Sequence, residues 1–90
     1  MDLKDATLMM LNESSAYPDV SSLAQTAYDQ IVNGEQVDWR VLDELIGEAS
    51  GKGVLRALNA KYGSATAEAI YGPILAELGR AKPIRSQRYV

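Results

Sequence analysis

The chain contains no histidine and no cysteine, and these two absences remove most of the familiar catalytic chemistry. Histidine is the commonest general base and metal ligand, while cysteine supplies thiolate nucleophiles and many structural zinc ligands. A zinc site in this sequence would need carboxylates alone, which is rare. We therefore expect a protein that is not an enzyme and that holds no catalytic residue, no metal and no cofactor.

Long apolar runs are also missing, so no segment is expected to span a membrane. The first residues, M-D-L-K-D, lack the basic region and apolar core of a signal peptide. Without cysteine there is no disulfide framework, which is consistent with a reducing compartment. Together these features predict a cytoplasmic protein. Its 90 residues indicate one domain with a thin core.

Apolar residues recur at helical spacing through most of the chain, and no segment before the C-terminus alternates like a strand. The pattern predicts an all-α fold, a compact orthogonal or bundle-like array of about five short helices. The predicted helices span residues 2–12, 18–33, 38–50, 53–62 and 64–79. Pro73 lies inside the last helix and should kink or split it. Val32 and Leu75 are among the apolar positions that keep this spacing.

The stretch from Val37 to Gly63 carries the clearest local signals of a helical hairpin. Asp38 can cap the third helix, and Val37 and Leu42 have the spacing of a hydrophobic staple. The G-x-x-x-G-K-G run that begins at Gly47 is one residue short of a phosphate-binding loop. It also lacks the serine or threonine after the lysine and follows a helix, so it does not indicate nucleotide binding.

The net charge of −3 is divided unevenly along the sequence. Residues 1–79, the predicted helical domain, hold 12 acidic and 5 basic residues and carry a net charge of −7. Residues 80–90 hold four basic residues and no acidic one, and they are predicted to form an extended or disordered basic tail. Such a tail could be solvated, could lie on a partner or could contact phosphates. Its candidate contact residues are Arg80, Lys82, Arg85 and Arg88.

Acidic residues cluster on and just before the third predicted helix. With the only tryptophan they form the candidate partner-binding set, which comprises Glu35, Asp38, Trp39, Asp43, Glu44 and Glu48. The acidic residues can be read as a solvated face or as a docking surface for a basic partner. The indole can likewise be read as a core anchor with its N–H near water or as a partner hot spot.

Three classes of function are compatible with these features. The first is a small non-catalytic protein-binding module that occupies a basic, nucleic-acid-binding surface of a host protein through its acidic face. In size and character it resembles the small inhibitors that phages and other mobile elements make, anti-CRISPR proteins among them. This likeness is one of class and is carried by no residue motif.

The two alternatives use other parts of the sequence. A helix-turn-helix protein would place Arg56, Asn59 and Lys61 against a nucleic-acid groove, although the charge of −7 makes nucleic acid an unlikely partner. A self-assembling structural or phage accessory protein would cover apolar faces in a homo-oligomer.

Overall fold

The computed structural model describes residues 1–83; residues 84–90, which include Arg85 and Arg88 of the predicted tail contacts, lie outside that range. The five helices are α1 (Leu3–Glu13), α2 (Pro18–Val32), α3 (Trp39–Gly51), α4 (Val54–Tyr62) and α5 (Ser64–Ala81). No strand occurs in the described part. The predicted all-α fold is therefore confirmed, and each helix begins and ends within two residues of its predicted bounds.

Local signals explain where several helices begin. The Asp2 carboxylate accepts a hydrogen bond from the Asp5 N–H at 2.8 Å and caps α1, while Pro18 is the first residue of α2. The Asp38 carboxylate accepts from the Arg40 N–H at 3.0 Å and caps α3, as predicted. Gly63 alone joins α4 to α5 with φ 86° and ψ 161°, a backbone region that is essentially restricted to glycine.

The core lies where α5 packs against α1, α3 and α4, and where α2 packs against α1 and α3. Val37 and Leu42, the predicted staple, are both buried. Alanines supply much of the interior, so the helices approach closely and the core is thin. Its fully buried apolar residues are Ala6, Met10, Val20, Ala24, Ala27, Leu42, Leu45, Ala49, Ala67, Ile70 and Ile74. None of the helices in residues 1–83 is both long and apolar enough to cross a membrane.

The end of α5 differs from the prediction. The helix continues to Ala81, so Arg80 is helical and does not belong to an extended tail. Gly79 does not stop the helix, and the end comes instead at Lys82, whose backbone is extended just before Pro83. A residue that precedes proline is disfavoured in the helical region, which explains this later end.

The structure also shows how α5 passes Pro73 and how far the apolar stripes of the helices are buried. α5 passes through Pro73 as one helix and is not split. The carbonyl of Ala69 loses its donor there, but Ala69 is exposed and water can reach it; the kink itself stays a prediction. Val32 and Leu75 keep the apolar spacing but are 55% and 42% exposed, so the buried face is narrower than the apolar stripe.

A matched pair of truncations tests the described core. Leu45→Ala removes a fully buried side chain and should lower the free energy of unfolding by about 2–5 kcal/mol. Leu75→Ala removes the same atoms from an exposed position and should lower it by less than about 1 kcal/mol. Urea denaturation followed by circular dichroism measures both values. Similar losses at the two positions would contradict the arrangement of the core.

Candidate partner-binding surface

The outer side of α3 carries most of the predicted partner-binding residues. Asp38 caps the helix and Trp39 begins it, and both side chains are partly buried. Asp43, Glu44 and Glu48 follow along α3 and are exposed. Neighbouring elements divide them into two groups, because α2 lies beside Glu44 and Glu48 while the end of α5 lies beside Asp43.

An open groove separates α2 from α3, and we call it the acidic groove. It is lined by Asp19, Ser22 and Leu23 of α2 and by Glu44 and Glu48 of α3, and its volume is about 270 Å³. Three carboxylates thus line the groove together with one hydroxyl and one apolar side chain. Among residues 1–83 no lysine or arginine forms an ion pair with any of the three. Their charge therefore faces solvent without an internal counter-ion in the described part of the chain.

The N-terminal end of α3 has a different electrostatic character, and we call it the tryptophan end. The Trp39 ring packs against the core and is flanked by two cations, with Arg40 Cζ 5.3 Å and Lys82 Nζ 5.9 Å from its centroid. Lys82 Nζ also lies 3.6 Å from Asp43 Oδ1, and Arg40 Nη1 lies 3.8 Å from Asp38 Oδ1. Asp38 and Asp43, the acidic residues at the tryptophan end, are therefore both in ion pairs.

These pairs at the tryptophan end are weak and exchangeable. Exposed ion pairs are worth about 0–1 kcal/mol, and an exposed cation–π contact about 0.5–1 kcal/mol. A cation from another molecule could therefore take the place of Lys82 or Arg40 at small cost. The partly buried indole fits the reading of Trp39 as a core anchor, and the two cations over its ring are also compatible with the hot-spot reading.

The remaining predicted site residues lie apart from both surfaces. Glu35 is exposed in the loop between α2 and α3, and within residues 1–83 its side chain joins neither the groove nor an ion pair. Arg80 pairs with Glu77 on its own helix, and this hydrogen bond raises the pKa of the Arg80 guanidinium. Of the predicted tail contacts, only Lys82 reaches the outer side of α3 within the described residues.

A second polar cluster ties the end of α1 to the end of α4. Tyr62 Oη donates to Glu13 Oε2 at 2.8 Å, and Lys61 Nζ donates to Glu13 Oε1 at 3.0 Å. The hydrogen bonds from Tyr62 and then Lys61 lower the pKa of Glu13, and the hydrogen bond to Glu13 raises the pKa of Lys61. Both shifts favour the charged forms, the reverse of what a general acid or base near neutral pH requires.

This cluster bears on the helix-turn-helix alternative. Lys61 is engaged by Glu13, and the Asn59 amide donates to the Leu55 carbonyl at 2.9 Å. Of the three residues expected to face a nucleic-acid groove, only Arg56 has no such internal partner among residues 1–83. The surface of α4 therefore offers little free positive charge.

The described residues hold no other arrangement suited to chemistry. No group of three or more acidic residues in residues 1–83 could hold a metal ion. The buried polar side chains there are Thr7 and Ser14, whose hydroxyls donate to the carbonyls of Lys4 and Met10. Comparisons with protein-family models, with curated proteins and with solved structures found no match. The acidic groove and the tryptophan end are thus the features on which a function can be argued.

Asp19 is the groove residue that the sequence pattern did not reveal. It lies in the first turn of α2, where negative charge is favoured by the helix dipole and needs no other explanation. Its place beside Glu44 follows from how α2 packs on α3, which a helical period does not specify. The only signal in the sequence was the short connection between the two helices, which makes them neighbours.

The Glu13 cluster generates a prediction about acid stability. Since the pKa of Glu13 is lowered on folding, its ion pair contributes stability that is present above the unfolded value of about 4.3. That contribution is lost as the pH falls through the lowered pKa. Glu13→Gln should therefore flatten the loss of thermal stability below about pH 5. Glu68→Gln is the control, because Glu68 is exposed and has no ion pair within residues 1–83. Identical acid profiles for Glu13→Gln and the parent protein would exclude this role.

Proposed function

We propose that this protein is a non-catalytic protein-binding module whose acidic groove receives a basic surface of another protein. The observation that carries the proposal is the convergence of three carboxylates from two helices, none of which has a basic partner within residues 1–83. Complementary charge of this kind accelerates encounter and fixes orientation. Leu23 adds an apolar surface to the lining of the groove.

The tryptophan end extends this surface toward the start of α3. Arginine and aromatic residues carry much of the energy at protein interfaces. An arginine of the partner could replace Lys82 over the Trp39 ring and pair with Asp43 at the same time. The groove and the tryptophan end would then bind one continuous basic strip.

The consequence for the partner depends on what its basic surface normally holds. If that surface binds nucleic acid, the acidic groove would block it by occupancy and by repulsion of phosphates. Such a protein would act as an inhibitor, like the small phage and mobile-element inhibitors of which anti-CRISPR proteins are one class. That likeness rests on size and charge.

Charge reversal in the groove tests the proposal. Affinity capture from a candidate host lysate, followed by mass spectrometry, identifies the partner, and the purified pair is then titrated. Glu44→Lys with Glu48→Lys should weaken binding by about tenfold or more, equivalent to about 1.4 kcal/mol, and reduce its salt dependence.

The matched control makes the same change of charge at exposed positions elsewhere. Asp5→Lys with Glu68→Lys alters α1 and the start of α5, outside the groove. This control should bind like the parent protein, and both variants should keep their helical circular dichroism. Equal binding by the groove variant and the parent would show that the partner site lies elsewhere.

Self-assembly is the alternative that a specific observation favours. Leu75 is exposed on α5, and its exposed neighbours on that helix include Ala76 and Gly79, which would let a second helix approach. A homo-oligomer formed through this face of α5 would leave the acidic groove without a role. Light scattering at micromolar concentration distinguishes the two candidates, since a monomer is expected for the binding module.

A further inference from the structure

We propose that Asn33 is a site of spontaneous chemical modification, in which its side-chain amide is converted to a carboxylate, and that the fold controls the rate. The site lies where α2 ends and the loop to α3 begins. Asn33 is followed by Gly34, and both residues are exposed, so water reaches them. This reactivity is independent of the proposed function.

The reaction needs only the Asn33–Gly34 pair and water. The Gly34 backbone nitrogen gives up its proton and attacks the side-chain carbonyl carbon of Asn33. A new C–N bond then closes a succinimide ring, and the side-chain nitrogen leaves as ammonia. Water adds to one of the two ring carbonyls and breaks its bond to the ring nitrogen. Opening at the side-chain carbonyl gives aspartate, and opening at the backbone carbonyl gives isoaspartate, in which the main chain continues through the side chain. Glycine favours the attack because it has no Cβ to obstruct it.

The end of α2 holds this pair in a geometry that opposes the attack. Gly34 has φ 75°, and its N–H donates to the Ile31 carbonyl at 3.1 Å. The Glu35 N–H donates to the Gln30 carbonyl at 2.8 Å. These two bonds and the left-handed glycine form a Schellman motif. Asn33 has ψ 2°, which turns the Gly34 nitrogen toward the Asn33 nitrogen and away from its Cβ. Rotation about ψ and loss of the hydrogen bond from Gly34 must therefore precede ring closure.

The rate in the folded protein is the rate in an open chain multiplied by the fraction of time for which the Schellman motif is open. Each of its two hydrogen bonds shifts that opening equilibrium by about two- to tenfold, so folding should slow the reaction about fivefold to a hundredfold. The fold therefore delays the modification without preventing it.

The other two asparagines of the chain are in less reactive settings. Asn12 lies in α1 and Asn59 in α4, so the backbone on both sides of each is helical. They precede Glu13 and Ala60, which carry a Cβ where Gly34 has none. The Asn59 amide is also engaged, because it donates to the Leu55 carbonyl at 2.9 Å. These two positions serve as internal references for the reactivity of Asn33.

Modification of Asn33 would change the connection to α3. Aspartate would put a negative charge at the C-terminal end of α2, where the helix dipole disfavours it, four positions after Asp29. Isoaspartate would add a methylene group to the main chain and displace the N–H groups of the Schellman motif. The loop beyond it is anchored by the Gln30 side-chain oxygen, which accepts from the Asp38 N–H at 3.1 Å, and by the buried Val37. Loss of the motif would loosen the start of α3, so the unmodified protein is a form with a limited lifetime.

Peptide mapping by mass spectrometry tests the site in the full-length protein. The protein is incubated at mildly alkaline pH, in buffer and in guanidinium chloride, and conversion at each asparagine is followed with time. In buffer Asn33 should convert before Asn12 and Asn59 and should yield both aspartate and isoaspartate. Guanidinium chloride should accelerate the conversion of Asn33 about fivefold to a hundredfold, because it opens the Schellman motif.

A variant at Gln30 tests control by the fold. Gln30→Ala removes the acceptor of the Asp38 N–H but keeps the Asn33–Gly34 pair. It should accelerate conversion in buffer by at least about twofold and leave the rate in guanidinium chloride unchanged. Gln36→Ala is the matched control, because Gln36 is exposed in the same loop, and it should leave both rates unchanged. Circular dichroism checks that both variants stay helical.

Three results would count against the proposal. Conversion of Asn33 in buffer that is no faster than that of Asn12 or Asn59 would overturn the assignment of the site. Equal rates for Asn33 in buffer and in guanidinium chloride would exclude protection by the Schellman motif. Equal rates in buffer for Gln30→Ala and the parent protein would contradict control of the reaction by the anchored loop.

Discussion

The burial of one face of α2 against one face of α3 is the interaction on which the candidate surface depends. Val20, Ala24 and Ala27 from α2 and Leu42, Leu45 and Ala49 from α3 are all buried in the same core. Helices of 15 and 13 residues are marginal on their own, so their helicity depends on this packing. The same contact brings Asp19 next to Glu44 and Glu48. Their mutual repulsion is small because all three are exposed to solvent and screened by salt.

The surface formed in this way has two parts with different electrostatic character. At the tryptophan end each acidic residue has a cation nearby, and the indole is covered by Arg40 and Lys82. In the acidic groove the carboxylates have no such neighbour within residues 1–83. An approaching basic surface would meet free charge first and would exchange contacts at the tryptophan end afterwards. In the proposed complex, contact would therefore begin at the groove beside α2 and finish at the start of α3.

Much of this fold follows from signals that act over a few residues. The cap at Asp38, the proline at the start of α2 and the glycines at helix ends fixed the helix bounds to within two residues. Gly79 was misleading because glycine stops a helix only when its backbone turns left-handed, which is seen at Gly34, Gly53 and Gly63. Val32 and Leu75 fit the apolar period, yet no neighbouring helix covers them. The apolar period predicts which positions form the apolar stripe of a helix, but it does not predict how much of that stripe a neighbouring helix covers.

The candidate site was less accessible to sequence reasoning because it combines distant residues. Four of its acidic residues were identified from one helix and its cap, but Asp19 and Leu23 belong to another. The contact of Lys82 with Trp39 joins the end of the chain to its middle. Such contacts depend on the angles between helices, which no local pattern contains.

The single-residue joint at Gly63 has a consequence for how this protein can diversify. A Cβ at Gly63 would meet no atom within 4 Å, so the restriction there comes from the backbone angles and not from lack of space. The groove residues Glu44 and Glu48 are bound by no comparable restriction. Natural variants can thus be expected to keep glycine at the joint while the residues of the groove change, so that one scaffold could carry grooves of different charge.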